Sequence, residues 1–258
     1  MATYANGTPS WVDLGSPDID ASAAFYGGLF GWTTTEPGPV EETGGYRMFV
    51  NGGRMVAGLG PSQEGQPIVW TTYLAADDAD KTAELVKSNG GAVFLEPMDV
   101  MEAGRMAIFA DSNGAAFGVW QAGQHTGAEL VNEPGSLTWN ELLTRDVEAA
   151  KSFYAQTFGI EPADFPMGDG PPYTLFNVEG RGVAGVLAMG EEFPAEVPSH
   201  WVTYFGVDDT DATVAKATSL GATVVRDAFD IPTVGRIAWL AGPNGEVFAV
   251  IKNAPQEA

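Results

Sequence analysis

The stretch Ser10–Trp32, SWVDLGSPDIDASAAFYGGLFGW, decides the fold because the chain repeats it at Thr138–Ile160, TWNELLTRDVEAAKSFYAQTFGI. The early Trp, the central Phe-Tyr pair and the later Phe-Gly pair all return at one constant offset. Further landmarks also return in the same order: Val-Ala-Gly, Trp-x-Thr-Tyr, Gly-Arg and Asn-Gly. An internal duplication of this size predicts two halves that share one architecture.

Local patterns predict two βαβββ modules in each half. Residues 10–15 alternate like a half-buried strand. Asp18 or Asp20 then supplies the N-cap of a helix over residues 21–30, which Gly31 ends. A second helix is expected from Asp77 to about residue 88. Further strands in the first half are expected at 46–50, 54–59, 68–75, 92–95, 105–110 and 116–120. Helices in the second half are expected at 147–158 and 209–220.

The duplication also predicts the domain boundaries. We expect a first domain over residues 8–122 and a second over residues 136–252, each of an ordinary domain size. Residues 123–135 lie in GQHTGAELVNEPGS, which has no clear periodicity and is expected to be a linker. Hydrophobic residues make up 45% of the chain, enough for a normal globular core.

Charge and composition exclude several classes of function. The formal net charge is −22 and only 12 residues are basic, which is unfavourable for binding nucleic acid or an anionic membrane. No apolar run approaches the roughly 20 residues of a membrane helix, and the N-terminus lacks a secretory signal pattern. With no cysteine in the chain, we expect a cytoplasmic protein without disulfides, either a monomer or a homodimer.

The order of strand, Asp-bearing turn, Phe-Tyr helix and Asn-Gly turn resembles the vicinal oxygen chelate superfamily. That superfamily includes glyoxalases, bleomycin-resistance proteins and extradiol dioxygenases, and the tandem arrangement resembles glyoxalase-like proteins of actinobacteria. The resemblance implies an α+β fold with two glyoxalase-like domains. In each, two βαβββ modules would form a U-shaped sheet cup with the helices outside. Whether modules pair within a repeat or exchange across repeats stays open.

The resemblance also implies where a metal ion would be held in metal-using members. Their His and Glu ligands project from defined strands, because imidazole and carboxylate groups suit transition metals. In this chain the corresponding positions carry Trp11, Thr71, Gly118, Trp139, Val202 and Ala249. An indole N–H cannot coordinate a metal, and a lone Thr is a poor ligand. We therefore expect neither a metal centre nor another cofactor.

Strand alternation predicts aromatic side chains where the metal would be. The candidate ligand-binding residues are Trp11, Tyr46, Tyr73, Trp120, Trp139, Tyr173 and Tyr204. Such a lining suits a flat organic ligand, because aromatic faces stack while Tyr and Trp keep a polar group. The alternative is that these side chains simply fill a core.

Three polar residues are candidates for proton transfer. Asp13 and Glu141 share a strand face with the Trp at the start of each repeat, and His200 lies on a neighbouring strand. His200 could pair with Glu141 or with Asp13; alternatively, each is bound to nearby backbone or lies at a wet rim. Arg105 and Arg236 recur after Gly and are expected to form salt bridges, with anion binding as the alternative.

These observations favour a metal-independent protein that binds a small aromatic or polyketide-like metabolite, for sequestration, resistance or a biosynthetic step. The alternative is a cofactor-free isomerase, cyclase, lyase or hydroxylase that uses Glu141, Asp13 or His200 for proton transfer. A third interpretation is a structural or signalling protein with filled cups and an acidic working surface.

Overall fold

The computed structural model describes residues 4–62, 65–166 and 170–255. The α+β fold is confirmed, because each half forms one mixed eight-stranded sheet with helices between strands. The first half consists of β1 Pro9–Ser16, α1 Ile19–Phe30, β2 Thr33–Thr34, α2 Val40–Thr43, β3 Arg47–Asn51, β4 Arg54–Pro61, β5 Trp70–Ala75, α3 Ala79–Ser88, β6 Ala92–Val100, β7 Gly104–Ala110 and β8 Ala116–Ala122. The second half consists of β9 Leu137–Thr144, α4 Val147–Phe158, β10 Glu161–Phe165, β11 Tyr173–Val178, β12 Arg181–Ala188, β13 His200–Gly206, α5 Thr210–Ser219, β14 Thr223–Ile231, β15 Gly235–Ala241 and β16 Val247–Asn253.

The two sheets have the same topology. Their strand orders are β2-β3-β4-β1-β5-β8-β7-β6 and β10-β11-β12-β9-β13-β16-β15-β14. The pairs β1–β4, β5–β8, β9–β12 and β13–β16 are parallel, whereas the hairpin-linked neighbours are antiparallel. Each sheet therefore contains both modules of a single repeat.

The four long helices begin in the same way. An Asp N-cap accepts a hydrogen bond from the backbone N–H three residues later, which satisfies one of the free donors of the first turn. These N-caps are Asp18, Asp78, Asp146 and Asp209. Asp18 is thus the cap of α1, one of the two predicted candidates. None of the helices in the described ranges has the length and hydropathy needed to cross a bilayer.

Three short elements were not predicted: β2, α2 and β10. Strand β2 has only two residues and α2 only four, so neither is long enough to establish a periodic hydrophobic pattern. Strand β10 is exposed along most of its length, so its residues carry no alternation of buried and polar side chains.

The chain divides into two compact units, and each unit combines modules from both repeats. Unit 1 contains the described residues of 1–11, 71–127 and 139–202, and unit 2 those of 12–70, 128–138 and 203–258. Each unit has its own hydrophobic core. The sheets are thus built within a repeat, while the cores are built across repeats.

A buried polar network lies in the core of unit 2. The hydroxyl of Tyr26 on α1 accepts a hydrogen bond from Trp70 Nε1 at 2.9 Å and donates one to Glu246 Oε1 at 3.0 Å. Glu246 is fully buried and its Oε2 accepts the backbone N–H of Asn244 at 3.0 Å. Burial raises the pKa of both Tyr26 and Glu246.

Unit 1 contains the equivalent network. Tyr154 on α4 accepts from Trp201 Nε1 at 3.0 Å and donates to Asp111 Oδ2 at 3.2 Å. Asp111 Oδ1 accepts the backbone N–H groups of Asn113 and Ala115 at 2.8 and 2.9 Å. In each unit the Tyr of the Phe-Tyr pair therefore donates to a buried carboxyl group, and the Trp of the Trp-x-Thr-Tyr motif donates to that Tyr.

The two repeats supply this carboxyl group from different ends of the same turn. The turn reads Asp111-Ser-Asn-Gly-Ala115 in the first repeat and Gly242-Pro-Asn-Gly-Glu246 in the second. A Cβ placed on Gly242 would collide with Glu246 Oε1, so the Glu246 carboxyl occupies the space that an Asp at position 242 would need. The acid has changed position in the sequence and kept its place in the fold.

We therefore expect the protein to tolerate a move of the acid from position 111 to position 115. Removal of the acid at 111 alone, or addition of an acid at 115 alone, should destabilise it. Asp111→Gly leaves the Tyr154 hydroxyl and two backbone N–H groups without an acceptor, and should reduce the free energy of unfolding by about 2–3 kcal/mol. The double variant Asp111→Gly/Ala115→Glu should recover most of that loss. Urea denaturation of both variants measures the difference.

The reverse exchange in unit 2, Gly242→Asp/Glu246→Ala, is the matched control and should behave in the same way. Equal stability of the single and double variants of unit 1 would contradict the proposed equivalence of the two acids.

A second buried polar group differs between the units. Thr72 Oγ1 donates to Asn140 Oδ1 at 2.8 Å in unit 1. Its counterpart in unit 2 is Thr203, and Val12 takes the sequence position that corresponds to Asn140. The hydroxyl of Thr203 is buried, and within the described ranges it has no hydrogen-bond partner.

Thr203→Val should stabilise the protein by about 1 kcal/mol, because it replaces a buried hydroxyl by a methyl group of similar size. Thr72→Val, the matched change in unit 1, should destabilise it, because the Asn140 side chain then loses its partner. Thermal or urea unfolding gives both values; a loss of stability in the Thr203 variant would disprove the assignment.

Candidate functional site

Three of the predicted site residues form a hydrogen-bonded chain in unit 1. Trp139 Nε1 donates to the hydroxyl of Tyr173 at 3.1 Å, and that hydroxyl donates to Glu141 Oε1 at 2.8 Å. Trp139 and Glu141 are alternate residues of β9, and Tyr173 opens β11. We call Trp139, Tyr173 and Glu141 the aromatic–carboxylate triad. Each donor points towards the carboxylate, which can only accept when ionised.

The geometry of the triad depends on Gly185. Glu141 and Gly185 are register partners in the parallel pair β9–β12. A Cβ on Gly185 would overlap the phenol of Tyr173 and would come to 3.0 Å from Trp139 Nε1. The glycine of the recurring Val-Ala-Gly motif thus gives the tyrosine room to reach the carboxylate.

The environment of the triad fixes the protonation of Tyr173. Burial raises the pKa of Tyr173 far above its ordinary value, and the charge of Glu141 raises it further. The phenol therefore stays protonated at neutral pH and acts as a donor to Glu141. Glu141 is only 7% exposed, whereas Trp139 and Tyr173 remain half-buried, so aromatic surface next to a carboxylate stays in reach of solvent.

Unit 2 contains a shorter version of the same arrangement. The hydroxyl of Tyr46 donates to Asp13 Oδ2 at 3.2 Å. Asp13 is the register partner of Gly58, and a Cβ on Gly58 would overlap the Tyr46 hydroxyl. The predicted residues Asp13 and Tyr46 are therefore brought together, with Asp replacing Glu.

Two further predicted residues lie in unit 1 beside a histidine, and a third, Tyr73, lies elsewhere in the same unit. The His125 ring meets Trp11 edge-on, with 4.5 Å between ring centroids, and lies 5.6 Å from Trp120. Trp120 Nε1 donates to the carbonyl oxygen of His125 at 2.8 Å. The ring of Tyr73 packs against Gly118 in the space that a side chain there would occupy. No periodic signal in the sequence could place His125, since it lies in the segment expected to be a linker.

The remaining candidates, His200 and Tyr204, are not part of the hydrogen-bonded chain formed by the triad. The Nδ1 atom of His200 lies 2.8 Å from the carbonyl oxygen of Pro198, and no hydrogen bond in the described ranges joins His200 to Glu141 or Asp13. Tyr204 is buried in unit 2 on β13, where its register partner is Ala249.

Both recurring arginines form salt bridges. Arg105 binds Asp80 and Asp99, with shortest contacts of 2.9 Å to each. Arg236 binds Asp211 and Asp230 at 2.8 and 2.9 Å. This agrees with the first of the two roles expected from the sequence.

The residues at the expected metal positions do not fit a transition metal. Trp139 presents an N–H donor, which Tyr173 already accepts, and the Tyr73 ring fills the space beside Gly118. Among the described residues, no three His, Asp or Glu side chains are grouped so that they could hold a metal ion. The side chains at these positions suit hydrogen bonding and packing rather than coordination.

Comparison with known proteins agrees with this architecture. The family model described as the Glyoxalase/Bleomycin resistance protein/Dioxygenase superfamily matches residues 8–119 and again 127–250. CFP32 of Mycobacterium tuberculosis, which is provisionally named a glyoxylase, is 43% identical over 98% of both chains. The anthracycline biosynthesis protein DnrV of Streptomyces peucetius is 43% identical over 98% of this chain and 95% of its own.

A solved structure shares the fold at low sequence identity. The Mn(II)-bound glyoxalase from Novosphingobium aromaticivorans is 18% identical, with a TM-score of 0.65 over 96% of this chain and 83% of its own. The duplicated family match and the relatives at 43% identity show that the chain belongs to the glyoxalase/bleomycin resistance protein/dioxygenase superfamily.

Proposed function

We propose that the protein binds a flat aromatic or polyketide-like metabolite at the aromatic–carboxylate triad, without a metal ion. The observation that carries the proposal is the hydrogen-bonded chain from Trp139 through Tyr173 to Glu141, with both aromatic rings half-buried. Aromatic faces favour stacking of a flat ligand, and a carboxylate beside them favours hydroxyl or amine donors.

The relatives support the choice of ligand class. DnrV, and DauV from another Streptomyces, carry names that place them in anthracycline biosynthesis. We infer a similar class of aromatic metabolite for this chain, bound for sequestration, resistance or a biosynthetic step. The absence of fitting ligands at the expected metal positions favours binding through the side chains alone.

Tyr173→Phe should weaken the binding of 1,4-dihydroxyanthraquinone, used as a flat hydroxylated probe, by about 5–10-fold. The variant removes one hydrogen bond that orients Glu141, an effect of roughly 1 kcal/mol. Quenching of Trp fluorescence during a titration gives the dissociation constant. Tyr154→Phe removes a buried hydroxyl from the same unit away from the triad, and should leave the affinity of the folded protein unchanged.

Metal independence has its own control. Dialysis against a chelator should not change the dissociation constant, and elemental analysis should find no stoichiometric iron, manganese, nickel or zinc. Binding that is lost on chelation and restored by one of these ions would contradict the proposal. If no compound in a panel of hydroxylated aromatic compounds quenches the Trp fluorescence of wild-type protein in a saturable way, ligand binding itself is contradicted.

A second candidate function is a cofactor-free enzyme that moves a proton. It is favoured by the 2.8 Å hydrogen bond between the Tyr173 hydroxyl and Glu141, because a buried carboxylate held by a protonated phenol can take and return a proton. In this hypothesis Glu141 removes a proton from an acidic C–H group of the ligand, and the resulting carbanion is stabilised as an enolate. Return of the proton to another carbon would complete an isomerisation.

Exchange of the C10 hydrogens of anthrone in deuterated water, followed by NMR, tests this candidate. Wild-type protein should accelerate the exchange, and Glu141→Gln should reduce that acceleration by about 100-fold or more. The Tyr154→Phe variant again serves as the control and should exchange at the wild-type rate. Equal exchange rates in wild type and Glu141→Gln would show that Glu141 does not transfer the proton. That result would not contradict ligand binding.

A further inference from the structure

The tryptophans at equivalent positions of the two repeats have different neighbours. Trp139 is half-buried and gives its indole N–H to Tyr173. Trp11 is only 4% exposed, and its ring is met at 85° by the ring of His125. The tryptophan that remains partly accessible in the second repeat is thus buried in the first, where a histidine ring of the protein itself contacts it.

The backbone around His125 is held in place by several hydrogen bonds. The N–H groups of Gly123 and His125 donate to the carbonyl oxygen of Ala103, and that of Gln124 donates to Glu102, at 2.9–3.0 Å. The carbonyl oxygen of His125 accepts from Trp120 Nε1 at 2.8 Å. These hydrogen bonds fix the backbone at His125. Its imidazole ring contacts the indole rings of both Trp11 and Trp120.

The surroundings of this ring are those of a binding site for a small flat heterocycle. Edge-to-face contact with two indoles is a favourable arrangement for an aromatic ring. A cleft of about 290 Å³ lies beside Trp120, lined also by Tyr4, Ser10, Gln121 and Thr126. One wall of this cleft is thus formed by a tryptophan that His125 also contacts.

We propose that the space between Trp11 and Trp120 is a second aromatic-binding site, and that His125 occupies it as an internal ligand. The protein would then bind one external aromatic ligand per chain, at the triad, and two when the imidazole is removed. The ligand count rests on the proposed function; the occupation by His125 does not. The segment after β8 would thus determine which repeat receives ligand.

The test is chemical rescue with 4-methylimidazole, which supplies the ring that His125→Ala removes. At a concentration tenfold above its dissociation constant, the compound should raise the melting temperature of His125→Ala by about 3–6 °C. It should change the melting temperature of wild-type protein, and of His125→Phe, by less than about 1 °C. The double variant Trp11→Ala/His125→Ala should respond much less than His125→Ala, because one wall of the site is missing.

His125→Gln, which keeps part of the side chain without the ring, replaces the alanine variant if that protein does not fold. Folded ring-free protein that shows no saturable response to 4-methylimidazole would overturn the proposal. An equal response in wild type would also overturn it, since the site would then be open.

Titration with 1,4-dihydroxyanthraquinone separates this proposal from the proposed function. One site in wild type that Trp139→Ala abolishes, and a second site in His125→Ala that Trp11→Ala abolishes, would support both. A second site in wild type that Trp11→Ala abolishes would overturn the role of His125 alone. No binding by wild type, together with rescue by 4-methylimidazole, would refute the proposed function and support the role of His125.

Discussion

A buried carboxyl group in each unit connects the two repeats of the chain. Tyr26 on the first helix of repeat one donates to Glu246 in the last turn of repeat two, and Tyr154 donates to Asp111 in the opposite sense. Each carboxyl group lies in a hydrophobic core, where a polar group without a partner is costly. The interaction therefore requires the Phe-Tyr helix, the Trp that donates to the tyrosine and the closing turn to be in place together.

This dependence explains why the repeats exchange modules to build their cores. Within each unit, aromatic side chains on the Phe-Tyr helix of one repeat pack against aromatic side chains of the other, Phe25 against Phe248 and Phe153 against Phe117. The tyrosine of each pair finds its acceptor in that other repeat. The acceptor position accommodates an acid from either end of the turn, as Asp111 and Glu246 demonstrate. The polar partner is thus required by the fold, while its sequence position is free to change.

The sequence predicted the repeated modules because long periodic segments and Asp N-caps have local signals. It also placed Asp13, Glu141, Tyr46 and Tyr173 among the candidate residues. It could not predict that each tyrosine would bind its acid, because that contact depends on the register between β9 and β12, or β1 and β4. The contact between His125 and Trp11 could not be predicted either. It depends on hydrogen bonds from the backbone of residues 123–125 to the turn at residues 102–103.

The chemistry of the triad would restrict the proposed ligand more than its aromatic lining does. Trp139 donates to Tyr173 and Tyr173 donates to Glu141, so the chain of hydrogen bonds ends at an acceptor with negative charge. The whole protein carries a formal net charge of −22, which adds a field that repels anions. A carboxylated or phosphorylated aromatic compound would meet repulsion from both sources. A neutral polyphenol or an aromatic amine would instead bring donors to Glu141 and a flat face to the neighbouring rings.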